Sequence, residues 1–303
     1  MEKTNTWISA LWMGVGAAAW MMTASLGIAQ ENSSAQAKTT AAKKASAKKA
    51  SAKKAAAASA GMPRHDISGT WTPEKEGSGI AGGGPFSAPS DGKHEPPYTP
   101  AALEKMKAYR PGNGIYQNPP PLINDPAVIY CDPQGMPRVD LYELRDTHIV
   151  HEKAKTFILY QYEHLWREIW TDGRALPKDP DPKWLGYSIG KWEDDYTFVT
   201  QTNGVDARTW LDKTGRPHSE DMVVEERFHR VSKDLLEFTV TIDDPTMYTA
   251  KWKPLDKFRM KLLPEDSEPI EMLCSISEYM LYNQQMGFGN PTAGTGGQKP
   301  SRK

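Results

Sequence analysis

The strongest constraint on the fold is a two-residue alternation of apolar and polar side chains that begins near residue 138. In KFRMKL (257–262) every second residue is apolar, and LEFTVTI (236–242) repeats the pattern. Two further stretches, TFILYQY (156–162) and HLWREIW (164–170), are rich in aromatic residues and are separated by a single glutamate. This period predicts β-strands that turn one face toward a core.

The connections between these strands are short. Turn-forming residues occur at TDGR (171–174), EDD (193–195) and SKD (232–234). Short turns between alternating segments are typical of antiparallel hairpins, and no alternation of strands with helices is visible. About eight to ten such strands in succession favour an all-β domain, either an antiparallel up-and-down barrel or a sandwich.

A Gly/Pro-rich arm precedes these strands, covering residues 73–125. We interpret it as irregular and extended, with one short helix near Pro100 to Tyr109. Thr99 is suited to be the N-cap of this helix and Pro100 lies in its first turn. Together with the strands, the arm predicts a single β-barrel-like domain over residues 62–283, followed by a disordered tail over 284–303.

The first 29 residues resemble a secretory signal peptide. Lys3 supplies a single positive charge to the n-region, and Ile8 to Ile28 are mostly apolar. Gly27 and Ala29 place small residues before a cleavage point. The pattern predicts a periplasmic or secreted chain that is cleaved near Ala29. The alternative is a retained membrane anchor, because the apolar run approaches the roughly 20 residues that a span needs.

Residues 30–61 form a linker of small and polar residues with seven lysines and one glutamate, a charge of +6. No aromatic or branched aliphatic residue is present in residues 31–61, so we expect this linker to be disordered. Because the whole chain carries −1 and Glu2 cancels Lys3, residues 62–303 carry −7. An acidic domain with an arginine-free basic linker argues against a specific nucleic-acid partner and favours loose attachment to an anionic envelope surface.

The two cysteines, Cys131 and Cys274, both lie in the predicted domain. In an oxidising compartment an even count predicts a disulfide, which would close a loop of over a hundred residues and contribute about 4–5 kcal/mol in the chain-entropy model. The alternative is two buried thiols. We expect no metal site: the cysteine spacing does not suit one, and in a strand His148 and His151 would lie on opposite faces. We also expect no cofactor.

Two resemblances to known families follow from the motifs. Gly69 and Trp71 in DISGTW resemble the opening of lipocalin-like (calycin) barrels, in which the tryptophan plugs the closed end. The stretch from Ser68 to Cys274 also resembles an uncharacterised family of exported bacterial proteins, a likeness that implies no activity. Five blocks carry it: NDP (124–126) with CDPQGMPR (131–138), IWTDGRALPKDPDPKWLGYSIGKWEDD (169–195), RTWLDKTGRPHSED (208–221), EERF (225–228) and TIDDPTMYT (241–249).

The candidate ligand-binding residues come from the two densest blocks. In the first block, a turn places Arg174 on its far side, and the proline-stiffened DPDP stretch presents Trp184 away from the strand pattern. The second block places four further candidates in a segment without strand periodicity: Arg208, Trp210, Asp212 and His218. The same residue types also suit an ordered loop that satisfies its own backbone. His164 shares a predicted strand face with Trp166, which is either a pocket lining or the outside of the barrel.

Glu226 is a carboxylate on an apolar strand face, with Met222, Val224 and Phe228 as its neighbours on that face. If the face is turned inward, burial would raise the pKa of this carboxyl unless a cation pairs with it. Pairing with an interior arginine, Arg174 or Arg208, is the favoured interpretation. The alternative is a general acid/base or a ligand-anchoring residue.

Three functions are compatible with this sequence. The first is a binding protein in which Trp184, Trp210, Arg174 and His218 line the mouth of a barrel that holds a small organic ligand. The second is a hydrolase or lyase that uses Glu226 or His218 as acid/base. The third is a structural envelope protein. The chain lacks a nucleophile elbow, a zinc signature, a phosphate loop and a dinucleotide fingerprint, so binding is the leading hypothesis.

Overall fold

The computed structural model describes residues 62–74, 95–141 and 144–287. The chain divides into two units, Met1–Ala57 and Ala58–Lys303, and all described residues belong to the second unit. The predicted signal peptide, the lysine-rich linker, the glycine-rich part of the arm (75–94) and the tail beyond residue 287 lie outside the described residues.

Within the described residues, nine strands form a closed barrel. They are β1 Gly69–Pro73, β2 Thr147–His151, β3 Lys155–Tyr160, β4 Trp166–Trp170, β5 Tyr187–Trp192, β6 Thr197–Asn203, β7 Val223–Ser232, β8 Leu235–Asp243 and β9 Trp252–Leu262. Each strand pairs with the next in sequence, and β1 closes the barrel by pairing antiparallel with β9. The all-β barrel predicted from the alternation is therefore confirmed.

The barrel departs from a pure up-and-down meander at one position, because β4 and β5 are parallel, with Ile169 opposite Ser188. Nine strands that alternate in direction cannot close with an antiparallel first and last pair, so one parallel pair is required. The connection over residues 171–186 returns the chain from the end of β4 to the start of β5. The TDGR turn consequently begins a long crossover and not a hairpin, whereas the turns after β5 and β7 are short, as predicted.

The helices are short and four in number among the described residues: α1 Pro100–Met106, α2 Pro126–Ile129, α3 Arg138–Leu141 and α4 Ile276–Gln285, with a 3-10 turn at Pro120–Leu122. The predicted helix at Pro100 is present, and the Thr99 side chain caps it by accepting a hydrogen bond from the Ala102 amide. Helix α4 was not predicted, and it extends beyond residue 283, where the tail was expected to begin.

The barrel interior is filled with side chains. Trp71 is fully buried on β1, and Phe228 and Phe238 stack across β7 and β8 with their ring centroids 4.6 Å apart. An interior cavity bordered by Trp71 and Asp140 has a volume of about 10 Å³. That volume corresponds to about one water molecule. Such an interior stabilises the fold but, as it stands, leaves little space for an organic ligand.

Residues 125–141, which include α2 and α3, pack against the inward-facing side chains of the barrel, and we call them the plug. Met136, Val139 and Leu141 are fully buried members of the core. A disulfide of 2.03 Å joins Cys131 to Cys274, which lies beyond β9, as the sequence predicted. The plug is thus held by apolar burial and by a covalent bond.

Candidate functional site

Glu226 projects into the barrel interior, as its neighbours on β7 predicted, and is fully buried. Its Oε2 accepts hydrogen bonds from Arg167 Nη2 and from Thr200 Oγ1, both at 2.7 Å. The interior cation is therefore Arg167 on β4, and neither Arg174 nor Arg208, which lie at the surface. A buried, hydrogen-bonded pair of this kind is weak evidence of net stabilisation, but removing one member leaves an uncompensated charge.

The plug contributes a second carboxyl to this interior cluster. Asp140 Oδ2 lies 3.8 Å from Arg167 Nη1, and Asp140 is buried. Burial and then the neighbouring Glu226 carboxylate raise the pKa of Asp140 well above its usual value, although Arg167 opposes them. Asp140 therefore keeps its proton to a higher pH than a carboxyl in water does, and in that protonated form it leaves the Arg167–Glu226 pair charge-balanced.

Tyr160 completes the cluster, and burial raises the pKa of its hydroxyl. The Tyr160 hydroxyl, Asp140 Oδ2 and Glu226 Oε1 are buried and make no hydrogen bond within the described residues that meets standard geometry. None of these groups is exposed, and a general acid/base has to come within hydrogen-bond reach of its substrate. This arrangement favours a structural role for Glu226.

The loop between β6 and β7 satisfies its own polar groups. Fully buried Asp212 accepts hydrogen bonds from the amide and hydroxyl of Thr214 and pairs with Arg216 Nη1 at 2.7 Å. Arg216 also binds Glu95 at 3.0 Å, which ties the loop to the arm. Asp212 therefore supports the loop instead of facing a ligand.

His218 is also fully buried in this loop. Its Nδ1 lies 3.0 Å from the carbonyl oxygen of Ser219, which can only accept, so Nδ1 carries the proton and donates. Nε2 lies 2.7 Å from the Thr209 hydroxyl oxygen, and the single proton of that hydroxyl also has the Asp206 carbonyl oxygen within 2.9 Å. Burial lowers the pKa of His218 to about 4, so the ring is neutral at physiological pH. The ring is sealed inside the loop and, like Glu226, has no exposed edge for acid/base chemistry.

Two surface arginines share one local arrangement. In the first unit, Asp172 receives the backbone amide and the guanidinium of Arg174, with Nη2 to Oδ2 at 2.7 Å. The guanidinium lies over the Trp170 ring, 3.5 Å from its centroid, and donates from Nη1 to the Tyr187 hydroxyl at 3.0 Å. The hydrogen bond from Arg174 lowers the pKa of Asp172. All of the guanidinium nitrogens in this unit are engaged.

The second unit repeats this pattern at Asp206, Arg208 and Trp184. Asp206 receives the Arg208 amide, Nε and Nη2, the last at 2.6 Å, and the guanidinium lies 4.5 Å from the Trp184 ring centroid. Unlike its counterpart in Arg174, Nη1 of Arg208 has no hydrogen-bond partner in the part of the chain that the structure describes. The side chain is 67% exposed. This arginine is oriented by its neighbours and still has one free donor edge.

Arg208 and Trp184 stand beside a small cleft against the plug. The cleft, whose volume is about 10 Å³, is lined by Asp125, Pro126, Ala127, Asp132, Pro133, Gln134, Arg138, Trp184, Arg208, Thr209 and Trp210. Its walls are rigid: Asp125 and Arg138 form a buried bidentate pair at 2.8 and 2.9 Å, and Trp210 stacks on Tyr109 with centroids 4.5 Å apart. The Met136 amide also donates to the Trp184 carbonyl at 3.2 Å.

Three of the candidate residues come together at this cleft: Trp184, Arg208 and Trp210. Arg174 does not border the cleft, and His218 lies behind Thr209. His164 precedes β4 in the turn after β3, where it is exposed with a positive φ of 50°. Its expected face, with Trp166 at 58% exposure, is the outside of the barrel.

Sequence reasoning did not single out Asp132, Gln134 or Asp206 as site residues. Asp132 and Gln134 belong to the CDPQGMPR block, which was noted as a motif but not interpreted chemically. Asp206 could have been found, because it precedes Arg208 by two residues just as Asp172 precedes Arg174. That repeated spacing was a usable signal.

Among the described residues, no group of three or more His, Cys, Asp or Glu side chains could hold a metal ion. In the same residues, no helix combines the length and apolar character needed to cross a bilayer. The structure thus defines a closed, plugged β-barrel with a small aromatic and polar cleft beside its plug. No family model, curated protein or solved structure matches the chain.

Proposed function

We propose that this chain is an exported binding protein and that its small organic ligand binds at the outer cleft beside the plug, not inside the barrel. The barrel interior is occupied by aromatic and aliphatic side chains, and an interior cavity of about 10 Å³ is too small for an organic molecule. The sequence predicted a ligand site at the mouth of the barrel, and we now place the proposed site at the rim of the cleft.

The observation that carries the proposal is the geometry of Arg208. Its guanidinium is fixed by Asp206 and by the face of Trp184, yet its Nη1 edge is free at the cleft. A donor that is already oriented loses little conformational freedom when a ligand binds, and a guanidinium suits carboxylates and other oxygen-rich acceptors. Arg208 is thus prepared to receive an acceptor group.

The ligand class follows from the charges at the rim. Asp132 lines the same cleft and lies close enough to Arg208 to raise the pKa of that guanidinium, after the larger effect of Asp206. A donor on one side and a carboxylate on the other fit a small polar molecule that carries both an acceptor and a donor. Because the cleft takes only one water-sized group, such a molecule would rest on the rim and insert a single polar group.

The test uses the matched arginine unit as its control. Arg208→Gln removes the free donor edge, whereas Arg174→Gln makes the same change in an equivalent Asp-x-Arg unit away from the cleft. Native mass spectrometry of the purified mature chain would reveal a co-purifying ligand. Ligand-observed NMR with a mixture of amino acids, small carboxylic acids and sugars would detect one that is lost on purification. We expect binding to the wild type and to Arg174→Gln, but not to Arg208→Gln.

Equal binding by all three proteins would contradict a site at Arg208, and no binding by any of them would contradict the binding function. Trp184→Ala should weaken binding with little loss of stability, because the ring is only partly buried.

We also propose that the lysine-rich linker attaches the chain loosely to an anionic envelope surface. Its charge of +6 stands against −7 for the remainder. Deleting residues 33–60 should leave the melting temperature unchanged and weaken salt-sensitive adsorption to vesicles that contain anionic lipid. Unchanged adsorption would remove the linker from this role.

A further inference from the structure

The segment after β9, residues 263–287, exposes an unusual amount of apolar side chain. Ile270 is 75% exposed and Leu273 is 60% exposed. Within the same segment, the exposed apolar side chains of α4 and its C-terminal flank are Ile276, Met280, Leu281, Tyr282 and Met286. In α4 the buried residue is Asn283, a polar one. The apolar side chains of this helix therefore do not pack into the barrel core.

The segment is nevertheless fixed to the barrel. Met272 forms a parallel bridge with Tyr162, and its carbonyl accepts the Glu163 amide at 2.7 Å. Two residues on, Cys274 is bonded to Cys131 of the plug. The Ser275 side chain caps the start of α4 by accepting from the Glu278 amide. The exposed apolar residues are consequently presented on a defined support.

The surface continues onto the barrel wall. Leu159 and Trp166 are cross-strand partners on β3 and β4, and they are 42% and 58% exposed. The turn between these strands is the one that pairs with Met272, so the two apolar regions adjoin. We call residues 263–287 together with Leu159 and Trp166 the C-terminal surface. Contiguous exposed apolar patches on soluble proteins commonly mark interaction sites.

The charge of this surface has a single sign. Residues 263–287 contain five acidic residues and no Lys, Arg or His: Glu265, Asp266, Glu268, Glu271 and Glu278. All five are exposed, and within the described residues none has a salt-bridge partner. Exposed apolar groups bordered by unpaired carboxylates complement a partner that is both apolar and basic.

We propose that the C-terminal surface binds a basic amphipathic segment of another protein, with apolar residues on one face and Lys or Arg beside them. The recognition mode is an amphipathic helix laid along an apolar surface, with charge pairs at its rim. An anionic bilayer is disfavoured as the occupant because its surface repels the carboxylates. A second copy of this surface is disfavoured because it would bring ten unpaired carboxylates together. This inference is independent of the cleft at Arg208.

The probe is a dye-labelled 14-residue peptide of Leu and Lys, with Leu at helical spacing, and its control is a scrambled peptide of the same composition. Fluorescence anisotropy measures binding to the full chain. Three variants are compared. The rim variant removes four carboxylates that border the apolar residues of the C-terminal surface, and the apolar variant, Leu281→Ser with Tyr282→Ser, removes apolar contacts. The matched control removes equal charge from unpaired exposed sites elsewhere. The rim variant is Glu265→Gln, Asp266→Asn, Glu268→Gln and Glu271→Gln. The matched control is Glu152→Gln, Asp179→Asn, Asp181→Asn and Asp234→Asn. Circular dichroism melts confirm that each variant is folded.

We expect the amphipathic peptide to bind the wild type more tightly than the scrambled one does. The rim variant should bind it about tenfold more weakly at low salt, because four exposed charge pairs of a few tenths of a kcal/mol each are lost. The apolar variant should also bind weakly, and the matched control should change by less than about twofold.

Three results would overturn the proposal. The rim and control variants could weaken binding equally, which would show general attraction to an acidic domain. The wild type could sediment with anionic vesicles through Leu281 and Tyr282, which would make the partner a membrane. Light scattering could show a dimer that the apolar variant loses, which would make the occupant a second copy.

Discussion

His218 should make the folded protein sensitive to acid, and the size of the effect follows from its burial. The ordinary pKa of histidine is 6.5, and burial in the β6–β7 loop lowers it to about 4. The unfolded chain therefore takes up a proton at a pH where the folded chain does not. The stability that this difference provides is fully present above pH 6.5 and is lost as the pH falls toward 4.

The magnitude is about 3 kcal/mol, because the two pKa values are roughly 2.5 pH units apart and each unit corresponds to 1.36 kcal/mol. Charged groups around the ring also act on this pKa: Lys105 lowers the pKa of His218 further, whereas Asp244 and Asp206 raise it. None of these effects outweighs burial. A loss of this size is a large fraction of the stability of a typical domain.

The assay is urea unfolding at a series of pH values from 7.5 to 4, for the wild type and for His218→Gln. Glutamine does not titrate, and its amide carries both a donor and an acceptor, as the neutral imidazole does. Acidic side chains elsewhere contribute equally to both proteins, so the difference between the two curves isolates the histidine. We expect the variant to be less stable at pH 7.5 and the gap to close by about 3 kcal/mol on acidification. Parallel curves would refute the argument, because they would mean that the buried ring is protonated as easily as a free one.

Three further predictions concern the interior cluster and the disulfide. Asp140→Asn should raise the melting temperature at pH 8 relative to the wild type. Because the pKa of Asp140 is raised in the folded protein, the stability it contributes is complete below about pH 4 and is lost as the pH rises through the folded-state pKa. A difference in melting temperature that does not depend on pH would contradict this. Glu226→Gln should destabilise the protein in urea unfolding by up to about 3–5 kcal/mol, since it removes the hydrogen-bonded anion of buried Arg167 and leaves only the more distant Asp140 carboxyl, at 3.8 Å, to balance the charge. A near-neutral effect would show that the pair is dispensable. Replacing Cys131 and Cys274 with serine should cost about 2–5 kcal/mol, and peptide mapping without reductant should first find the two joined.

The sequence predicted the inward face of β7 correctly but predicted the partner of Glu226 wrongly. On β4 the buried residues are Arg167 and Ile169, whereas Trp166 is on the outer face. Hydrophobicity alone assigns the tryptophan to the core and the arginine to solvent. The buried arginine becomes favourable only because a carboxylate from a strand 59 residues away meets it. Such a pairing between distant strands leaves no periodic mark on either strand.

The parallel pair of β4 and β5 was missed for a different reason. TDGR has the chemistry of a hairpin turn, but in the structure it forms only the start of the connection. The stretch that follows, up to residue 186, is far longer than a hairpin loop and contains Pro177, Pro180 and Pro182. A connection between parallel strands needs a dozen or more residues. The length of this connection was the signal available in the sequence.

Because Cys131 lies between β1 and β2, the disulfide separates the barrel strands into two groups, those inside the covalent ring and those outside it. The bond to Cys274, 143 residues later, encloses β2 through β9 in one covalent ring, and β1 lies outside it. Yet β1 pairs with both β2 and β9. Of the nine barrel strands, β1 is synthesised first, and one of its two neighbours, β9, is synthesised last. Until β9 arrives, one edge of β1 and one edge of β8 are unpaired and open to wrong partners. The sheet can grow strand by strand along the chain, but the barrel closes only when β9 pairs with β1. A cut within the ring would leave both fragments joined through sulfur.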